Sequence, residues 1–316
     1  MRSLKFGVKT GQGGYAYEEL KKIWTAAEKL GYNSAWLYDH FYALHDKQDP
    51  CLEAWTTLSA LATSTKKMKI GTVVTAISYR NPALLAKMAS TVDVISGGRL
   101  ILGVGAGWHE KEYKAYGYEF PDPRTRVRQL KETLIVIRKL WTEDKATFKG
   151  DFYSLNGAIN LPKPQQKPYP KILVGIAHGK KTLPYLAVRY ADGFNVTGSF
   201  EESRAIVQAV QSYCERYGKH ADDLICSWQG FILIGQSTSE LDKMVERGAK
   251  GMGKSSQEFR KEAIERGWMI GQPDDCIEQL RPFKEISINH IFLIFSDATS
   301  IRPLETFRDH VIPKLK

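Results

Sequence analysis

Apolar and polar positions along the chain switch repeatedly between the two-residue and the 3.6-residue period. Residues 4–8 read as an apolar strand, after which Tyr17, Leu20, Trp24, Ala27 and Leu30 recur at helical spacing up to Gly31, a good helix stop. A second unit has a strand at 34–38, a polar loop at 39–46 and a helix near 53–62. The third begins with a strand at 68–75, and Asn81-Pro82 opens its helix with a cap and a proline in the first turn. The fourth has a continuous apolar run at 100–104, the mark of a strand buried on both faces. Its long helix, over 124–141, carries Val127, Leu130, Leu134, Ile137 and Leu140 on one side.

Residues 142–171 break the rhythm with a hairpin-like stretch at 147–153 and four prolines, Pro162, Pro164, Pro168 and Pro170. The alternation then resumes: strand 172–176 and helix 182–190, strand 193–196 and helix 201–217, strand 224–234, helix 273–283, strand 290–295 and a closing helix at 304–311. The charged segment 236–266 reads as helical and is longer than a barrel needs. Eight strands alternating with helices predict a (β/α)8 TIM barrel, an α/β fold with catalytic groups at the C-terminal ends of its strands. The prediction is one domain over residues 1–316, with excursions at about 142–171 and 236–270, after strands four and seven.

Composition narrows the function classes. At 43% hydrophobic and 25% charged residues the chain is ordinary globular protein, so its function must reside in sites. It has no run of about 18 apolar residues, and its start leads straight into a strand, so the expectation is a soluble, cytoplasmic protein with no signal peptide and no membrane partner. Cys51, Cys214, Cys226 and Cys276 form no C-x-x-C and read as inert thiols. A net charge of +10 favours an anionic partner, and lysines spread along the chain without a dense basic run point to a small polyanionic molecule and no nucleic acid. A homodimer is left open.

The stretch around which the chain is organised follows the fourth strand. Gly103, Gly105 and Gly107 let the backbone bend and approach a ligand before a helix starts. Their spacing is not G-x-G-x-x-G, which argues against a dinucleotide site. His109-Glu110-Lys111-Glu112-Tyr113 falls short of H-E-x-x-H, because Tyr113 stands where the second histidine belongs, and no metal is expected. Asp39-His40 after strand two, Thr75 at strand three, residues 105–109 after strand four and His178-Gly-Lys-Lys181 after strand five converge on one barrel mouth. His40 is the acid/base candidate, with Asp39 as a neighbour able to orient it. His45 reads as a loop residue. Residues 177–182, two lysines just before a helix, suit a phosphate.

At these residues the sequence resembles the luciferase-like monooxygenase superfamily, and specifically its branch of oxidoreductases dependent on coenzyme F-420, the 8-hydroxy-5-deazaflavin. The likeness covers nearly the whole chain and is most specific at Tyr38-Asp-His-Phe41, in the run from Tyr79 to Gly103, from Gly105 to Tyr113, and at Tyr190-Ala-Asp-Gly-Phe194. The resemblance implies a ring in the barrel mouth with Asp39, His40 and Thr75 beside it. It also implies a phosphate held by Gly105, Ala106, Gly107, His178, Gly179, Lys180 and Thr182, with His109 and Tyr113 in the same cofactor site, and a non-prolyl cis peptide close to Thr75-Ala76. One position departs. In the deazaflavin-dependent sugar-phosphate dehydrogenases a catalytic glutamate follows the second glycine of the turn, and here that residue is Trp108.

The leading expectation is hydride transfer between coenzyme F-420 and a small organic substrate, with His40 assisting proton transfer. The alternatives are an FMN-dependent monooxygenase using reduced flavin and oxygen, and a cofactor-free binding or structural relative. The Asp-His pair favours the deazaflavin, and the intact turn from Gly103 to Tyr113 speaks against a cofactor-free role.

Overall fold

The structure, a computed structural model, describes residues 3–44, 48–295 and 300–315. His45 therefore lies outside the described residues. Strand β1 (Lys5–Lys9) leads to helix α1 (Tyr17–Lys29), β2 (Ser34–Leu37) to α2 (Ala54–Ser64) and β3 (Lys69–Ala76) to α3 (Pro82–Ile95). After β4 (Leu100–Gly105) come a short α4 (Glu110–Ala115), the long α5 (Pro123–Thr142) and an antiparallel hairpin, β5 (Ala146–Lys149) and β6 (Ser154–Ala158). Then β7 (Lys171–Ile176) precedes α6 (Thr182–Tyr190), and β8 (Gly193–Thr197) precedes α7 (Phe200–Arg216). The long β9 (Ile225–Ile234) is followed by α8 (Thr238–Gly251), α9 (Ser256–Glu265), β10 (Met269–Gly271) and α10 (Pro273–Glu285). The described elements end with β11 (His290–Phe295), α11 (Arg302–His310) and α12 (Ile312–Leu315).

Eight parallel strands close on themselves in the order β1, β2, β3, β4, β7, β8, β9, β11 and back to β1. This is the (β/α)8 barrel that the alternation predicts. Unforeseen is β10, which pairs with the last three residues of β9 outside the ring, Met269 opposite Ile232 and Gly271 opposite Ile234.

Alternation along each strand divides the apolar residues between two cores. Outward positions such as Phe6, Val8, Leu102, Val104 and Val174 join the helices' apolar faces in one large cluster. Inward, Trp36, Val73, Ile101, Leu173 and Phe292 plug the barrel and form its floor. Arg99, buried where β4 begins, donates to the carbonyls of Ala62, Thr65 and Met68 and so ties the end of α2 to the start of β3. The floor and this tie close the barrel from below, and the strands' C-terminal ends are left to carry chemistry.

Candidate active site

Glu112 is the centre of the mouth. It lies in α4 with no exposure to solvent, and four donors meet its two oxygens. Phe41 N–H and Tyr42 N–H donate to Oε1 at 2.6 and 3.0 Å, while the Tyr79 hydroxyl, at 2.5 Å, and His40 Nδ1, at 2.8 Å, approach Oε2. Burial alone pushes the carboxyl up, but the hydrogen bonds from His40, Tyr79 and Phe41 and the charge attraction of His40 outweigh it and bring the pKa to about 2. An ionised carboxylate only accepts, so His40 Nδ1 carries the proton in this bond, and Nε2 is the nitrogen left to exchange one.

This arrangement corrects the sequence reading, in which Asp39 orients His40. Adjacent residues on extended backbone face opposite ways. Asp39 turns into the wall, where Oδ2 accepts from Ala76 N–H at 2.9 Å and from Arg80 Nη1 at 2.6 Å, with Arg80 Nη2 3.1 Å from Oδ1. Burial raises the Asp39 pKa, and Arg80 works against that rise. Neither Glu112 nor Arg80 was singled out from the sequence. Glu112 was legible only as part of a failed zinc motif, although His109 and Glu112, three apart on one helical face, carried a signal.

His109 Nδ1 lies 3.7 Å from Glu112 Oε2, so His40, His109 and Glu112 converge within 4.8 Å although the zinc spacing is broken. All four lone-pair positions of the carboxylate are taken by the donors above, which suits an orienting group better than a metal ligand. Trp108 covers the histidines, its ring 5.5 Å from that of His40 and 4.9 Å from that of His109, and is itself 64% exposed. Behind Glu112, Phe41, Tyr79, Tyr113, Tyr118 and Phe120 form an aromatic wall, Tyr79 and Tyr113 at 4.6 Å and Phe41 and Tyr79 at 4.5 Å between ring centroids. Each such pair contributes roughly 0.5–1.5 kcal/mol beyond burial.

The other side of the mouth is built from backbone. A side chain at Gly105 or Gly175 would collide with Val74, so the ends of β3, β4 and β7 are drawn together around that one residue. The non-prolyl cis peptide lies at Val73-Val74, two bonds before the expected place, where the β3–β4 register shifts between Thr72 and Thr75. The Thr75 hydroxyl pairs with that of Thr72 at 2.6 Å inside the wall. Gly107 has φ +81°, and a Cβ there would strike the Tyr113 hydroxyl, so the turn admits only glycine and Tyr113 acts as its base. Ala106 is half-buried beside it.

His178, Gly179, Lys180, Lys181 and Thr182 are all exposed at the start of α6. No side chain caps this helix, so its first N–H groups and two lysines stand ready for an anion. β4 and β7 are paired neighbours in the same direction, which puts this segment and residues 105–109 at one end of the barrel. The donor set fits a phosphate-bearing cofactor with a flat ring: backbone and lysine donors on one side, and an apolar floor with an oriented histidine on the other.

The chain belongs to the luciferase-like monooxygenase family, whose model matches residues 3–290. Among particular relatives, it is 29% identical to the F420-dependent glucose-6-phosphate dehydrogenase of Amycolatopsis mediterranei, over 99% of each chain. In fold it resembles an F420-dependent secondary alcohol dehydrogenase in complex with an F420-acetone adduct (TM-score 0.84, 24% identity, 99% of each chain). It also resembles the coenzyme F420-dependent tetrahydromethanopterin reductase from Methanopyrus kandleri (TM-score 0.82, 18% identity, 99% of this chain and 100% of that one).

Proposed function

We propose that the protein is an oxidoreductase that uses coenzyme F-420 to move hydride to or from a small organic substrate, with His40 as its acid/base group. The observation that carries this reading is the His40–Glu112 pair, 2.8 Å apart at the mouth of a barrel whose β7–α6 turn offers an uncapped helix start. Support comes also from the F420-dependent activity named for the relative from Amycolatopsis mediterranei.

The bound coenzyme supplies the hydride chemistry, so the chain's tasks are to bind, orient and handle protons. Residues 105–109 with His178, Gly179, Lys180 and Thr182 hold the phosphate, and Tyr113 supports the turn from beneath. Asp39 and Thr75 keep the β2–β3 side in shape. Glu112 holds the Nδ1–H of His40 and so fixes the ring's orientation, leaving Nε2 to give a proton to a substrate oxygen or take one from it. Trp108 narrows the water's access to that nitrogen.

Equilibrium dialysis of the protein against coenzyme F-420 and FMN side by side tests the reading. Retention of F-420 over FMN is the expected result, and preferential retention of FMN overturns it.

A further inference from the structure

Among the described residues, the barrel interior holds a charged group, Lys9, that the proposed function does not use. A side chain at position 7 of β1 would meet Ser34 Oγ and Trp36 Nε1, so that position faces the inside of the barrel, and Lys9, two residues on, faces the same way. Lys9 is 9% exposed and stands at the strand's C-terminal end, in register with Trp36 of the floor. Its ammonium passes the inner face of β11 to donate to Gln229 Oε1 of β9 at 2.8 Å, its one hydrogen bond among the described residues. The amide has no charge to give. Burial lowers the lysine pKa to about 8, with no carboxylate opposing the shift.

A cation in such a place costs free energy in the empty protein and is stabilised when an anion arrives. The exposed lysines at α6 serve the phosphate on the other side of the mouth, so the anion Lys9 meets is of a different kind, on the flat part of the ligand over the floor. Resting on the cofactor reading above, we propose that Lys9, positioned by Gln229, is the counter-charge for the ionised hydroxyl-bearing ring of the bound deazaflavin. Lys9 then favours the phenolate form of the 8-hydroxyl, and the proton lost from that oxygen leaves to solvent.

The ring reports its own ionisation, because the phenolate absorbs at longer wavelength than the phenol. The test is a pH titration of the visible spectrum of the coenzyme bound to the wild type, to Lys9→Met and to Lys9→Arg. In the wild type the transition is expected roughly 1–3 pH units below that of free coenzyme, the reach of a nearby opposite charge. Lys9→Met is expected to return it towards the free value, and Lys9→Arg to retain most of the shift. Gln229→Glu, which keeps the lysine but gives it a carboxylate partner, covers the case in which Lys9→Met does not fold and is expected to cancel the shift too. Titrations that coincide for the wild type, Lys9→Met and Gln229→Glu while all three bind coenzyme overturn the inference and leave the cofactor reading intact. Failure of the wild type to retain coenzyme in dialysis overturns both.

Discussion

Arg80 holds the Asp39 carboxylate through contacts of 2.6 and 3.1 Å, and so the residue next to Asp39, His40, turns to Glu112 instead. Two neighbours in the chain are thus assigned separate partners, one in the wall and one in the mouth. Arg80 and Asp39 are both nearly solvent-free, so removing Arg80 leaves the Asp39 carboxylate buried with the Ala76 N–H and no opposite charge against it. Arg80→Ala is expected to cost about 3–5 kcal/mol, while the double change Arg80→Leu with Asp39→Leu recovers part of it. Urea unfolding of Arg80→Ala and of the double variant checks this, and a double variant less stable than Arg80→Ala would contradict it.

Replacing Glu112 separates orientation from folding. Glu112→Gln keeps an acceptor oxygen for the two backbone N–H groups and places an amide N–H where the Tyr79 hydroxyl can accept from it, but removes the charge behind His40. Its kcat is expected to fall on the order of 10–100-fold, with KM nearly constant, a part of what a positioned acid/base contributes. Glu112→Ala also leaves buried donors unpaired, at about 1–3 kcal/mol each, and should lower the unfolding free energy as well. A Glu112→Gln enzyme with unchanged kcat would remove the pair from the mechanism.

Lys180 is exposed at the open start of α6, so changing it should touch binding and not folding. Lys180→Glu is expected to weaken coenzyme binding by roughly 1–3 kcal/mol with an unaltered Tm. Binding isotherms at two salt concentrations check the electrostatic origin, since the difference between wild type and variant should shrink as salt rises.

Acid should destabilise the fold in two windows. His290 is buried inside the barrel, its Nε2 2.8 Å from Ser34 Oγ, and burial lowers its pKa to about 3. Between its ordinary value of 6.5 and about 3 the unfolded chain binds a proton that the folded chain refuses, so stability falls as pH falls through this range. Glu112, held at about 2, adds a loss between 4.5 and 2, where again only the unfolded chain is protonated. His290→Gln should show a shallower decline from pH 6.5 to 4.5 in denaturant titrations. A slope equal to the wild type's would acquit His290.

The alkaline side has the same sign from a different residue. Lys9 in the coenzyme-free protein loses its proton near pH 8, and in the unfolded chain near 10.5, so stability should rise with pH between these values. Lys9→Met should abolish that rise. Thermal melting of both proteins from pH 7.5 to 10 measures it.

The barrel was legible because its parallel strands are buried on both faces and read as uninterrupted apolar runs, as at 100–104 and 290–295. β10 escaped for the opposite reason: three residues are too few for a period, and its pairing with β9 is made from a distance in sequence. The residue types of the mouth were visible at His40, His109 and residues 105–107, but the partnerships were not. Asp39 adjoins His40 in sequence and faces away from it, whereas Glu112, 72 positions on, supplies the bond. Arg80 precedes the Asn81-Pro82 cap with nothing in the sequence to give it a role, and only the closed ring of strands brings it to Asp39. The cis peptide, too, was misplaced by two bonds, because sequence does not reveal where the strand's register slips.

β9 is shared by two structures at different heights. Its residues up to Ile232 complete the ring with β8 and β11, and only Ile232, Leu233 and Ile234 pair with β10. Leu233 belongs to a separate small core with Leu241, Val245, Ala249 and Phe259, and Phe231 stacks on Trp268 at 4.3 Å just below it. The α8–α9 unit is therefore a replaceable attachment: its own contacts hold it together, and the barrel closes without it. Redesign or natural drift can exchange that unit wholesale, altering one rim of the mouth through Phe231 and Trp268 while the His40–Glu112 pair, on the strands opposite, keeps its geometry.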